Sequence, residues 1–313
     1  MQSPTPGMAK TQSKPENGET RTFSLISNEK LLAIYTAMLK CRLLEQRATT
    51  LFQHGKLNSD LHPSAGLEAT AAAVAIDLQH DDTISIPPGD WLPAFVKGMS
   101  PETLFRVLAP AVSEQSEKAA IESAHKNILF ASTESDLPEV VRKRASAASA
   151  AKNGAVVAAF IRPGKQLLTH WRKTLHIAAS KKLPIIFAHY IHEPGEHASA
   201  ARSKKSDALL DGLPSIAVDA YDPVAVYRVA YEATVRARQL RGATLLQCII
   251  HDQSAVSSPT DSNGPLVEKA ITDPVSAMET YLKSKGINPE AHSRQIVATF
   301  NRDLDLATRF LDA

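Results

Sequence analysis

Residues 154–191 do more than any other stretch to limit what this chain can fold into. "AVVAAFI" is a continuous apolar run of strand length, "QLLTHWRKTLHIAAS" repeats its apolar residues at helical spacing, and "LPIIFAHYI" is a second apolar run. Strands apolar at every position are buried on both faces, and a helix between two of them is the crossover of a parallel pair. "PSIAV" and "ATLLQCII" add two further strands around a helix that opens at Asp222-Pro223. Alternation of this kind predicts an α/β fold, a doubly wound, mostly parallel sheet flanked by helices. Such sheets hold their ligands beyond the carboxyl ends of the strands. There this chain carries Arg162-Pro163-Gly164-Lys165 after the first run and His192 after the second.

The helix boundaries are marked by chemistry as well as by period. Ser27 or Asn28 caps a long helix whose apolar positions run from Leu31 to Phe52, and Gly55 stops it. A second helix is expected over about 65–78, followed by the strand "DTISI". Ser100-Pro101, Asp222-Pro223 and Asp273-Pro274 each place a capping side chain before a proline suited to the first helical position. Gly242 and Gly286 close the last two of these helices. Between 111 and 153 the pattern is weakest, and two polar helices around "NILFAS" are expected.

A chain of 313 residues accommodates one large domain, expected over 23–313, with helices at its C-terminal end. Residues 1–22 are rich in Ser, Thr, Pro, Gly, Glu and Lys and read as a disordered tail without a secretory apolar region. A formal net charge of +2 gives no footprint for nucleic acid or for a polybasic membrane contact. No apolar run reaches membrane-spanning length. The two cysteines, Cys41 and Cys248, sit in apolar-periodic segments and read as buried free thiols of a reducing compartment, so a cytoplasmic location is expected.

Several stretches, in order, resemble the alpha subunit of thiamine-diphosphate-dependent 2-oxoacid dehydrogenases, the decarboxylating components of the pyruvate and branched-chain complexes. They are "LLAIYTAMLKCRLLEQRATTLFQHGKL", then "LHPSAGLEATAAAVAIDLQHDDTIS" with the family's His-x-x-x-Gly-x-Glu-Ala pattern as His62, Gly66, Glu68 and Ala69. "LPSIAVDAYDPVAVYRVAYEATVRARQLRGATLLQCII" and "DPVSAMETYLKSKGI" continue the match. The resemblance implies the thiamine-diphosphate-binding fold and an alpha-beta heterotetramer with the cofactor at the subunit interface. It also implies a Mg²⁺ held by the Asp of a Gly-Asp-Gly turn and by an Asn at the end of the next strand. A hard divalent cation needs such oxygen ligands.

In this chain Arg162-Pro163-Gly164 falls on Gly-Asp-Gly, and His192 falls on the Asn. Proline offers neither a side-chain oxygen nor a backbone N–H. A Tyr-Arg-x-His stretch falls on "IPPGDW", the segment that cradles the aminopyrimidine on "FASTESDLPEV", and the loop carrying a catalytic histidine on "HDQSAVSSPT". The framework matches while four parts of one site are altered, so a degenerate member with no cofactor is expected. Thiamine diphosphate and Mg²⁺ enter by resemblance alone.

The polar residues admit other readings. Arg162, Gly164 and Lys165 at the start of a helix form either an anion site or a solvated basic turn. His62 reads as a remnant of the cofactor site, while Ser64 and Glu68 have a plain reading in helix entry, as cap and first-turn acid. "HYIHEPGEH" gathers zinc-type ligands, but in a strand His189 and His192 face opposite sides. "HDQSAVSSPT" reads as a mobile loop, without the Gly-x-Ser-x-Gly elbow of a hydrolase.

The expected function is a 2-oxoacid dehydrogenase alpha-subunit-like protein with its cofactor site lost and a structural or regulatory subunit role. The expected partner is a second copy or a beta-type dehydrogenase subunit, with the apolar stripe of the first helix suited to that contact. The alternatives are an active thiamine-diphosphate-dependent oxidoreductase with the diphosphate held by Arg162, Lys165 and helix N–H groups, and a His/Glu metal-dependent hydrolase. Metal ligands are expected to be absent.

Overall fold

The computed structural model describes residues 26–57, 66–109, 127–130, 135–163, 167–192, 212–250 and 273–311. In chain order the helices are α1 (Asn28–Gln53), α2 (Glu68–Ala75), α3 (Leu92–Val96), α4 (Pro101–Leu108), α5 (Leu137–Ala151), α6 (Leu167–Ser180), α7 (Pro223–Arg238), α8 (Pro274–Ser284) and α9 (Pro289–Ala307). The strands are β1 (Thr83–Ile86), β2 (Ile128–Phe130), β3 (Val157–Ile161), β4 (Ile185–His192), β5 (Ser215–Asp219) and β6 (Thr244–Ile250). They form one six-stranded sheet in the order β2-β1-β3-β4-β6-β5, parallel at every pairing. The α/β expectation holds.

Both faces of the sheet are covered, which is why its central strands are apolar throughout. Ile84, Ile86, Ala158, Phe160, Ile186, Ala188, Tyr190 and Leu246 join one core with residues of α1, α2 and α7. Val157, Ala159, Ile161, Ile185, Phe187 and Leu245 join a second core with residues of α5 and α6. The helix starts follow the local chemistry. Ser27, Ser100, Asp222 and Asp273 each accept a backbone N–H of the first turn, and the last three precede proline.

Two expectations are corrected and a third is met in part. "NILF" contributes the three-residue edge strand β2, paired with β1; one of the two helices expected around it is α5, and the other falls on 110–126, outside the described residues. The second helix is shorter than 65–78 suggests. The apolar stripe of α1 is spent inside the chain: Leu31, Ile34, Tyr35, Met38, Cys41, Leu44 and Ala48 are fully buried, against α2, α8 and α9. Apart from Phe52 at its end, 40 % exposed, little of that stripe is left for a partner.

No helix among the described residues is long and apolar enough to cross a membrane. Residues 1–25 and 110–126 lie outside the described residues.

The amino-terminal end of the sheet is fastened by a buried acid. Asp82, with a fully buried side chain, accepts Gln79 N at 2.6 Å, Val156 N at 2.9 Å and Arg238 Nη2 at 2.6 Å. One carboxylate thus ties the entries of β1 and β3 to the end of α7. Replacing Arg238 with Ala leaves Asp82 without its cation, and about 3 kcal/mol of stability is expected to be lost, measured by urea denaturation. Arg238→Lys, which keeps the charge without the fork, is expected to lose less.

Candidate functional site

The strand order fixes where a site belongs. From β1 the chain goes to β2 on one side, while β3 lies on the other. The carboxyl ends of β1 and β3 therefore flank the switch point where sheets of this kind hold ligands. After β1 comes Pro87-Pro88-Gly89-Asp90, in which Asp90 N donates to Pro87 O at 3.1 Å and Gly89 has φ +77°. Proline second and a positive-φ glycine third make a type II turn. Asp90 is left only 7 % exposed. On the facing wall Arg162, half-buried, follows directly on β3 and donates through Nη2 to the Pro88 carbonyl.

Burial pushes the Asp90 carboxyl up from its ordinary 3.8 to about 7, and the Arg162 charge pulls against that rise. Around it lie further buried polar groups. Tyr190 on β4 and Cys41 on α1 are both raised well above their ordinary values, first by burial and in part by the Asp90 charge. Ser85 Oγ, Trp91 Nε1 and Tyr190 Oη are buried with no hydrogen-bond partner among the described residues. A cleft of about 60 Å³ runs between this turn and α4, lined by Pro87, Pro88, Asp90, Trp91, Leu104 and Leu108 among others. It has room for a few waters.

Of the site residues expected from sequence, Arg162 and His192 are placed, just after β3 and at the end of β4. His192 is exposed at the end of β4. His189 is buried, its Nε2 is unpartnered, and burial lowers its pKa to about 4. The two imidazoles point to opposite sides of the sheet, as strand alternation requires. Among the described residues no three His, Cys, Asp or Glu side chains converge as a metal would need. His62, Ser64, Gly164, Lys165, Glu193, Glu196 and His197 lie outside the described residues, as does all of "HDQSAVSSPT". Sequence reasoning missed the pairing of Arg162 with the Pro88–Asp90 turn. The Pro-Gly pair directly after "DTISIP" was the available signal for a strand-end turn.

Gly66 and Glu68 have an architectural role. Helix α2 starts at Glu68, after Leu67, which makes no side-chain cap. Glu68, 1 % exposed, accepts Gly66 N through Oε2 at 2.8 Å and Arg42 Nε through Oε1 at 2.7 Å. Arg42 Nη2 reaches Asp273 Oδ1 at 2.6 Å, while Asp273 Oδ2 accepts the Ser276 N–H that opens α8. Burial works to lower the Arg42 pKa, but its bonds to Asp273 and Glu68 outweigh that and raise it. Gly66 has φ +93°, and a Cβ there would stand 2.5 Å from the Tyr221 ring. No other residue fits.

The family model described as "Dehydrogenase E1 component" matches residues 35–309. The pyruvate dehydrogenase E1 component subunit alpha-3, chloroplastic, of Arabidopsis thaliana is 27% identical over 324 residues, 96% of this chain and 75% of that one. The pyruvate dehydrogenase E1 component subunit alpha of Staphylococcus aureus is 26% identical over 323 residues, 95% of this chain and 83% of its own. That of Staphylococcus epidermidis is 25% identical over 310 residues, with 92% and 79% covered. A solved structure from Mycobacterium smegmatis, named for thiamin diphosphate dependence, overlays 61% of this chain and 32% of its own at TM-score 0.38 and 12% identity.

Asp90 sets a pH dependence. Its folded-state pKa lies above its unfolded one, so its contribution to stability is full below about pH 4 and lost as pH rises through about 7. Asp90→Asn is expected to remove this decline. The unfolding free energy of the variant, from urea denaturation, should therefore gain on wild type between pH 4.5 and 8, by about 2–4 kcal/mol.

Proposed function

We propose that this chain, which belongs to the dehydrogenase E1 component family, is an alpha-type 2-oxoacid dehydrogenase subunit that has given up its thiamine diphosphate site and serves a structural or regulatory role. One observation carries the reading: the crevice between β1 and β3 holds a protein cation, Arg162, bonded to the Pro88 carbonyl beside buried Asp90. Mg²⁺ asks for several hard oxygen ligands at close to octahedral geometry. At the turn after β3 the chain offers instead a guanidinium and Pro163, and at the end of β4 an exposed imidazole, His192. A guanidinium is always charged and repels a second cation. The residues described do not fit a Mg²⁺-diphosphate, and no chemical step is routed through one.

The framework reading rests on the Gly66–Glu68–Arg42–Asp273 hub, which a subunit of this family needs for shape whether or not it binds cofactor. A single domain over 23–313 is part of this proposal. The partner is a second copy of the chain or a beta-type subunit, and the surface it uses is not the buried stripe of α1. Two free, buried thiols, Cys41 and Cys248, support a reducing, cytoplasmic setting. The rival reading, an active oxidoreductase, needs Arg162 to leave Pro88 and Asp90 and turn to a diphosphate with Lys165.

Calorimetric titration of the full chain with thiamine diphosphate, with and without Mg²⁺, decides between them. No saturable, Mg²⁺-dependent heat is expected. A micromolar or tighter dissociation constant that requires Mg²⁺ would establish the active reading instead. Sedimentation and co-purification test the subunit role, which a solitary monomer without a bound beta-type chain would contradict.

A further inference from the structure

We infer that Arg162 is a built-in substitute for a bound cation, cross-linking the β1 and β3 loops so that the crevice is closed and assembled without any ligand. The inference rests on the reading that this crevice has lost its metal, and adds what took the metal's place.

The acceptors come first. The type II turn after β1 leaves two oxygen donors on one wall, the Pro88 carbonyl and the Asp90 carboxylate. A backbone carbonyl and a carboxylate are the donor types of a hard-cation site. The Arg162 guanidinium bonds the Pro88 carbonyl and its charge acts on Asp90. Guanidinium suits the task because it is planar, carries five donors in a fixed fork and is more weakly hydrated than an ammonium.

The walls come next. Arg162 and Pro88 are 74 residues apart in sequence. Their contact spans the β1–β3 switch point, where a diphosphate and its metal would otherwise make the link. On the other side of the β1 turn, Trp91 and Leu104 are buried to within a few per cent and line the cleft of about 60 Å³. A metal site is completed only when its ligand arrives. The Arg162–Pro88 link is made by the folded chain itself.

The test is a thermal-unfolding cycle on the full chain with wild type, Arg162→Ala, Asp90→Asn and the double variant. Each is measured alone, with Mg²⁺ and inorganic pyrophosphate, and with Mg²⁺ and thiamine diphosphate. Arg162→Ala is expected to lower Tm by about 5 °C or more. The double variant should be more stable than the sum of the two single changes predicts, because Arg162→Ala costs less once Asp90 carries no charge. Wild-type Tm should not respond to either ligand mixture.

A Tm for Arg162→Ala equal to wild type, or losses that simply add in the double variant, would overturn the cross-link while leaving the lost-site reading intact. A rise in wild-type Tm with Mg²⁺ and thiamine diphosphate would instead overturn the lost-site reading. Where Arg162→Ala yields no folded protein, recovery of folding in the double variant supports the cross-link and continued failure refutes it.

Discussion

A parallel sheet buried on both faces has no side on which to put polar chemistry, so its two ends must carry all of it. In this chain each end is closed by a buried aspartate and an arginine from a distant segment. The ends differ in how well the acid is served. Asp82, at the amino end, has two backbone N–H donors and a two-point Arg238 contact. Asp90, at the carboxyl end, has the Arg162 charge to set against its burial, and its pKa climbs to about 7. Near it Ser85, Trp91 and Tyr190 keep polar atoms without partners among the described residues. Frustration of this kind is expected where a fold once served, or serves, something other than its own stability.

The same division separates the residues that match the E1 component family from those that depart from it. Gly66 stays because a Cβ would strike Tyr221, and Glu68 stays because three segments converge on its carboxylate. Neither constraint involves a ligand. Arg162 and Pro163, by contrast, follow directly on β3, at the strand end where sheets of this kind hold their ligands. A chain can therefore keep the family's shape closely while the chemistry at its strand ends changes.

Most of the fold was legible because its signals are local. Capping side chains before Pro101, Pro223 and Pro274 mark helix starts wherever they occur. Continuous apolar runs mark β3, β4 and β6. Edge strand β2 escaped because three residues are too few to show a period, and its partner β1 lies more than forty residues away. The stripe on α1 was read correctly as a packing face, yet sequence does not say whether a helix packs against its own chain or another. At the site, the identity of Arg162 and His192 was visible, while the Arg162–Pro88 contact was not, being a product of sheet order rather than of spacing.

The direction of the changes at the β3 turn has a physical logic. A carboxylate at position 163 is tolerable when a divalent cation is bound against it. Without the metal, it would bring a second negative charge towards buried Asp90, and like charges in a desolvated crevice are costly. Pro163 removes that charge, and Arg162 adds one of the opposite sign that Asp90 can use. Either substitution alone would be unremarkable as decay. On the proposed reading, the two together would convert a crevice that is repulsive when empty into one that is attractive when empty. That adjustment would suit a chain that has to stay folded, and present its surfaces to a partner, with no cofactor to complete it.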